Sequence, residues 1–279
     1  MPKYRSKTYI DLIVYILFAM VFVIALVPIV WILITSIKKT MDIFAYPPII
    51  VPKEVAFENY VKVFTLTDIG KNFLNSIIVA ILTTGAVILL STLVAYGFSR
   101  FTFRQKAFIM MLLLGTQMIP AVTNIIPLYI TMLKLGLLDT ITALFLVYTA
   151  INIPFSVWII KSYIDSIPDS MDEAALMDGA NRFYLIFKII VPVALPGIVA
   201  ASLFTFIACW NEFYIALVLT STVKSKTIPL GLFNFQASYD IQWNLLCAAS
   251  VIAILPVMVF FIILQDKFIS GLTSGAYKG

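Results

Sequence analysis

Histidine is absent from the 279 residues, and cysteine occurs only twice. Without histidine the commonest general base and a principal metal ligand are missing, which argues against an intramembrane enzyme and against a zinc site of the usual spacing. The expected sets of catalytic residues and of metal ligands are therefore empty. Cys209 and Cys247 both sit inside apolar runs, which speaks for packing rather than a disulfide framework. Charge is scarce too: 12% of residues are charged, where a soluble domain carries about a quarter. A phosphate-cradling G-x-x-x-x-G-K-[ST] loop is also lacking. The glycines near the C-terminus are not followed by a Lys-Ser/Thr pair, and Lys226-Thr227 has no preceding glycines.

What is present in excess is hydrocarbon, with 62% of residues apolar. A bilayer core of roughly 30 Å takes about 20 apolar residues per helix. Six such stretches are predicted, near 10–37, 73–98, 107–133, 140–164, 192–219 and 243–268. The alternating strands of an outer-membrane barrel are missing, so the expectation is an all-α integral membrane protein forming a single transmembrane domain over 1–279. The first run follows Lys3, Arg5 and Lys7 but is too long for a cleaved signal segment and lacks an A-x-A site, so it reads as a retained helix. Lysine and arginine in the N-terminal segment and in the Ser99–Lys106 loop favour cytoplasmic termini, with 38–72 an external loop and 269–279 a cytoplasmic tail. Topology thus accounts for the net charge of +5, and nucleic acid need not be invoked.

The polar interruption at 165–191 is the most informative stretch. Ile167-Pro168 stops one helix, Ser170 and Glu173 have the spacing of a capping box, and Gly179 suits a turn through positive φ. Ala174 and Ala175 leave a flank nearly bare, open to close approach by another protein. Asn181 is a plausible cap for a second helix whose Phe183, Ile186, Phe187 and Ile190 form an apolar stripe. Asp165, Asp169, Asp172, Glu173 and Asp178 outnumber Lys161, Arg182 and Lys188 here, a balance better suited to a protein partner than to an anionic leaflet.

These residues resemble the permease subunits of bacterial and archaeal binding-protein-dependent ABC importers. The family loop reads E-A-A, three residues, G, nine residues, I-x-L-P. Glu173-Ala174-Ala175, Gly179, Ile189 and Pro192 fall at those spacings, with Val191 where leucine is usual. Asn75-Ser76, Ala95-Tyr96-Gly97-Phe98-Ser99-Arg100, Leu135-Gly136-Leu137-Leu138 and Trp210-Asn211-Glu212-Phe213 look like the carbohydrate branch, on the side of its maltose-permease G-type subunits. The resemblance implies a six-helix, type I (MetI-like) permease with cytoplasmic coupling helices, in the cytoplasmic membrane. It also implies a homologous second permease, two ATPase subunits that hold the ATP and magnesium, and an external solute-binding protein. Carried over, Glu173, Ala174, Ala175 and Gly179, flanked by Asp178 and Ala180, would form the ATPase-coupling element. The tail from Gly271 to Gly279 resembles family tails that approach the ATPase pair.

Polar groups within apolar segments face a cavity or another helix, which singles out Gln117, Asn124, Asn152, Asn211 and Glu212 as candidates for a translocation path or for interhelical glue. Pro120, Pro127 and Pro154 sit among them and predict bends. Glu212, a lone carboxylate in a predicted span, could pair with the partner permease, line an outer vestibule or hydrogen-bond a sugar. Trp158, Trp210, Tyr148 and Tyr214 are candidates for stacking on sugar rings or for anchoring at the membrane interface. The external loop with Pro47, Pro48 and Pro52, and the loop 221–242 with Lys224, Lys226 and Asp240, would face the binding protein. The resemblance leaves a carbohydrate, a glycerol phosphate or a polyol as the solute. An ion-coupled secondary transporter would need several buried titratable groups, and Glu212 alone is thin support for one.

Overall fold

The computed structural model describes residues 5–236 and 241–276; Asp240 and the end of the C-terminal tail lie outside them. Among the described residues every regular element is helical. In chain order the main helices are α1 (Arg5–Ser36), α2 (Glu58–Leu66), α3 (Ile69–Arg100), α4 (Lys106–Thr116), α5 (Ile125–Lys134), α6 (Ile141–Ile164), α7 (Asp169–Met177), α8 (Arg182–Val193), α9 (Leu195–Asn211), α10 (Tyr214–Leu219), α11 (Ile228–Gln236) and α12 (Trp243–Ala276). Four of them, α1, α3, α6 and α12, are long and apolar enough to cross a membrane, and α8 with α9 makes a fifth if the bent pair counts as one span.

The chain sorts into two compact units, one drawn from Met1–Asp68 with Asn234–Ile254, the other from Ile69–Phe233 with Leu255–Gly279. In the first, the most apolar stretch of α1 has no buried residue, as befits a helix apolar on all sides. Its C-terminal end is fastened through a buried amide, and Ser36 Oγ also pairs with Tyr60 Oη at 2.8 Å. Asn59 Nδ2 donates to the carbonyls of Ser36 and Lys38, both at 2.9 Å, while Asn59 Oδ1 accepts from Asn244 Nδ2 at 3.0 Å. Lys38, a charge of the expected external loop, is buried: its ammonium donates to the Ile49 carbonyl and lies 4.9 Å from the centre of the Trp31 ring.

The second unit is built on α3, α6 and α9. The buried face of α3 repeats small or β-branched residues at three- and four-residue steps: Val79, Ala80, Thr83, Thr84, Val87, Ser91, Thr92 and Ala95. Without bulky side chains the backbones approach closely, which is how helices associate where no hydrophobic effect drives them. Ser91 Oγ reaches the Ile153 carbonyl of α6, and Ser156 of α6 pairs with Thr205 of α9 at 3.1 Å. Gly197 opens α9 against the Tyr163 ring so tightly that a Cβ would sit 2.3 Å from a ring carbon, so only glycine fits there.

Two of the six expected stretches are interrupted. The one near 107–133 ends as α4 at Thr116, passes through a 3₁₀ turn at Ala121–Asn124 and resumes as α5. The break precedes Pro120, whose ring disfavours helical backbone at Ile119 and whose own backbone is extended. The one near 192–219 starts at Leu195, after a bend of 82° from α8, and breaks again at Glu212-Phe213 before α10. Pro196, in the first turn of α9, has no N–H to continue the ladder across the bend.

Candidate functional site

At the end of the second unit where α3 and α6 terminate, Pro168 stands extended and α7 begins at once with Asp169. The expected capping box does not form, because the helix starts before Ser170 and no side chain caps it. The acidic first turn serves another purpose. Asp172, 6% exposed, accepts from Tyr96 Oη on Oδ2 at 2.9 Å and from Arg100 Nη2 on Oδ1 at 3.1 Å, and Arg100 Nε lies 3.1 Å from the oxygen that Tyr96 bonds. Arg100 Nη1 lies 3.1 Å from Asp169, and the same guanidinium donates to the Ile164 and Ile167 carbonyls at 3.3 and 3.1 Å, at the C-terminus of α6, where a cation is favoured. One buried arginine thus joins three helices. Beside it, Ser99 and Lys161 donate to Asp165; burial pushes that carboxyl's pKa up, but these two bonds outweigh it and hold the group below its ordinary value.

The helix α7 is amphipathic in an unequal way. Glu173 and Ala174 are exposed, whereas Ala175 is buried in an apolar cluster that includes Ala95, Phe98, Ile160, Ile164 and Leu185. Of the two expected bare alanines, only Ala174 is therefore open to another protein. Asp178 and Gly179 end the helix. Gly179 has φ +85°, its N–H bonds Leu176 and the N–H of Ala180 bonds Ala175, a left-handed termination that glycine alone adopts without strain. Asn181 then caps the next turn by accepting from the Tyr184 amide at 2.8 Å, as its position in the sequence predicts. A concave notch of about 570 Å³ opens here, lined by Ala175, Asp178, Gly179, Ala180, Asn181 and Tyr184, with Ile189 beneath.

Past Asn181 the expected apolar stripe is altered. Residues Leu185–Ile190 form a π-helical turn, which shifts the register: Leu185, Ile186 and Ile190 are buried, while Phe183 is 70% exposed and Phe187 is 37% exposed at the edge of a cavity that Thr84, Ile88 and Ile198 also line. The Arg182 guanidinium lies 5.0 Å from the centre of the Phe101 ring.

The five polar candidates of the apolar segments separate into three places. Gln117 and Asn124 line one cavity of about 770 Å³ together with Pro120, Pro127 and Pro154; Gln117 Nε2 donates to the Ile151 carbonyl at 2.9 Å, beside the bonding gap that Pro154 opens in α6. Asn152 is turned elsewhere, bonding the Tyr148 carbonyl of its own helix at 2.8 Å and approaching Cys209 Sγ at 3.8 Å. Asn211 ends α9 and is exposed. Glu212 is engaged: it accepts from the Ile215 and Ala216 amides at 2.9 and 3.0 Å and from Tyr148 Oη at 2.8 Å, so it caps α10 and ties it to α6. Trp210 packs edge-on to Phe73 and parallel to Phe206, which marks it as core, whereas Trp158 and Tyr214 are exposed.

A second carboxylate organises the same end, and no motif announces it. Asp139, at φ 59°, accepts from the Ser221 and Thr222 amides and from the Thr222 and Ser225 hydroxyls. Partial burial alone would raise its pKa; the four donors outweigh that and hold it well below the ordinary carboxylate range. Asn75 donates to the Val223 and Lys226 carbonyls, and Ser76 accepts from the Ile228 amide. The Asn75-Ser76 pair thus serves as a loop anchor.

Long apolar helices with closely packed small residues, charged joints at their ends and a protruding glycine turn define a multi-pass membrane permease. The chain belongs to the family of binding-protein-dependent transport system inner membrane components, whose model matches residues 87–273, and is a permease subunit of a binding-protein-dependent ABC importer. It is 35% identical to the sulfoquinovosyl glycerol transport system permease protein of Agrobacterium fabrum over 91% of this chain and 89% of that one. It is 36% identical to the trehalose/maltose transport system permease protein of Thermococcus litoralis, covering 92% and 93%. Its fold matches, with a TM-score of 0.82 at 22% identity, a chain of a bacterial ABC transporter involved in the import of the acidic polysaccharide alginate, covering 96% of this chain and all of that one.

Proposed function

We propose that the chain is one membrane half of an ATP-driven importer of a carbohydrate, an oligosaccharide or related glycoside, delivered by an external solute-binding protein. A homologous second permease completes the pathway. Two ATPase subunits hold the ATP and magnesium and grip the elbow formed by α7 and the Gly179 turn. The chain performs no chemistry of its own. It sits in the cytoplasmic membrane with both termini in the cytosol.

The observation that carries this reading is the elbow itself. Glu173 and Ala174 are presented outward on a helix whose opposite face is buried and pinned, and the turn at Asp178, Gly179 and Ala180 borders an open notch. Such a surface is preorganised, so a partner that docks there loses little to ordering it. Names of relatives that include trehalose, maltose and sulfoquinovosyl glycerol support a sugar-bearing solute. The three hydrogen bonds on Glu212 weigh against an ion-coupled mechanism, since its carboxylate is occupied in holding α10. The cavity of Gln117 and Asn124, lined also by Pro120, Pro127 and Pro154, is the best-formed candidate for part of the path.

The test is to purify the chain with its neighbouring subunits and to screen sugars, polyols and glycerol phosphates for binding-protein-dependent stimulation of ATP hydrolysis. A sugar or glycoside is expected to stimulate; stimulation by a glycerol phosphate or a polyol alone contradicts the carbohydrate assignment. In the same complex Gly179→Asp is expected to abolish uptake while the subunit remains inserted.

A further inference from the structure

We infer that Arg100 and Asp172 form the joint through which a displacement of α7 reaches the membrane helix α3, so that Arg100 is a positioning residue for coupling. The inference rests on the reading of α7 as the element the ATPase grips, and it adds the route by which that grip is felt.

The geometry is asymmetric across α7. A partner touching Glu173 and Ala174 pushes on one side of a short helix; Asp172 leaves the other side and is buried. Both oxygens of Asp172 are engaged by α3, from Tyr96 and Arg100, two residues one helical turn apart. The remaining guanidinium contacts go to Ser99, to Asp169, to the last carbonyl of α6 and to that of Ile167 just beyond it. A guanidinium that donates to Asp172 and to the Ile164 and Ile167 carbonyls, with Asp169 beside it, resists sliding and twisting, whereas the apolar contacts of Ala175 can slip over their neighbours. Removed from water, this polar cluster is also costly to open, so α7 and the end of α3 move together or not at all. Since α3 packs along α6 and α9 through small residues, a shift of its end is transmitted into the membrane part of the unit.

Arg100→Lys keeps the charge but not the planar set of donors that reaches Asp172 and two carbonyls at once, and it separates a joint from a merely electrostatic or topological role. The complete complex, with ATPase subunits, second permease and binding protein, is reconstituted in vesicles, and solute taken up per ATP hydrolysed is measured. A cross-link from Ala174→Cys to an ATPase subunit reports docking. Arg100→Lys is expected to retain co-purifying ATPase subunits and the cross-link while solute per ATP falls roughly tenfold, a size typical of coupling free energies. An unchanged ratio overturns the inference, and so does loss of the ATPase subunits from the variant, which would make Arg100 a docking residue. If Arg100→Lys fails to accumulate in the membrane, Tyr96→Phe, which removes one donor from Asp172, is expected to lower the ratio measurably; no change overturns it. Absence of the cross-link in the otherwise unaltered complex defeats the reading of α7 itself, and the joint falls with it.

Discussion

The two ends of the second unit use carboxylates in opposite ways. Beside α7, Asp172 meets a guanidinium and a phenol carried by another helix. At the other end, Glu212 and Asp139 accept mainly from backbone amides and small hydroxyls of the segment they organise. The first arrangement gathers three helices around one guanidinium. The second also reaches across the sequence, but each carboxylate gathers the amides and hydroxyls of a single short break or loop. Damage at the first end should therefore spread through several helices, while damage at the second should stay where it is made.

The largest expected effect is that of Arg100→Met. It strands Asp172, 6% exposed, without its cation, a change that costs about 3–5 kcal/mol at buried pairs. Thermal denaturation of the purified complex should fall steeply, and the paired Arg100→Met/Asp172→Leu should recover much of the loss. Equal stability of single and paired variants would erase the distinction between the two ends. Next comes Glu212→Ala, which removes the cap of α10 and the partner of Tyr148; a loss of about 1–2 kcal/mol is expected, with exchange of amide hydrogens raised around 212–219 rather than throughout the unit. Gly179→Ala meets open space but forces a side chain onto φ +85°, a strain of about 1–2 kcal/mol confined to the turn. It should destabilise no more than that, while a bulky charged residue at the same place would also fill the notch.

The smallest effect is a pH dependence of the loop at 221–228. Donors hold the Asp139 carboxyl below its unfolded value of about 3.9, so its contribution is fully present above that value and is lost as pH falls below it toward the folded one. Protease cleavage in 221–228 should be unchanged from pH 8 to pH 5 and should rise below pH 4. Asp139→Asn, which cannot titrate, should flatten that rise, and an undiminished rise would place the titrating group elsewhere.

Much of the architecture is legible in the residues, because a bilayer demands long apolar runs and proline, glycine and short polar stretches interrupt them. The runs that became α3 and α6 are continuous and lack internal ambiguity beyond Pro154. The interrupted pair is harder. Pro120 signals a bend, yet a window of apolar residues around it hides a full break, and nothing in Trp210-Asn211-Glu212-Phe213 tells a carboxylate lining a path from one that folds back onto Ile215 and Ala216. At the elbow, the glycine turn and the Asn181 cap follow from local rules of backbone geometry, and both are present. The π-helical turn is not visible in a pattern read at 3.6 residues per turn, so the direction of Phe183 and Phe187 was unpredictable from spacing. Arg100 and Asp172 are 72 residues apart and unremarkable in isolation. Arginine at a helix end reads as a topology signal, and aspartate in an acidic run reads as surface. One hint was available: Tyr96 and Arg100, at a four-residue step, put two donors on one face of a helix end.

The proposed function stands or falls on whether a nucleotide-hydrolysing neighbour drives the elbow. The direct measurement is uptake into vesicles that contain this chain with its second permease, with and without the ATPase subunits, with ATP supplied on the side of the elbow and loaded binding protein on the other. Accumulation against a gradient is predicted only when the ATPase subunits are present, and it should vanish with Gly179→Asp. Accumulation in vesicles lacking the ATPase subunits would show that the chain does not depend on them for transport.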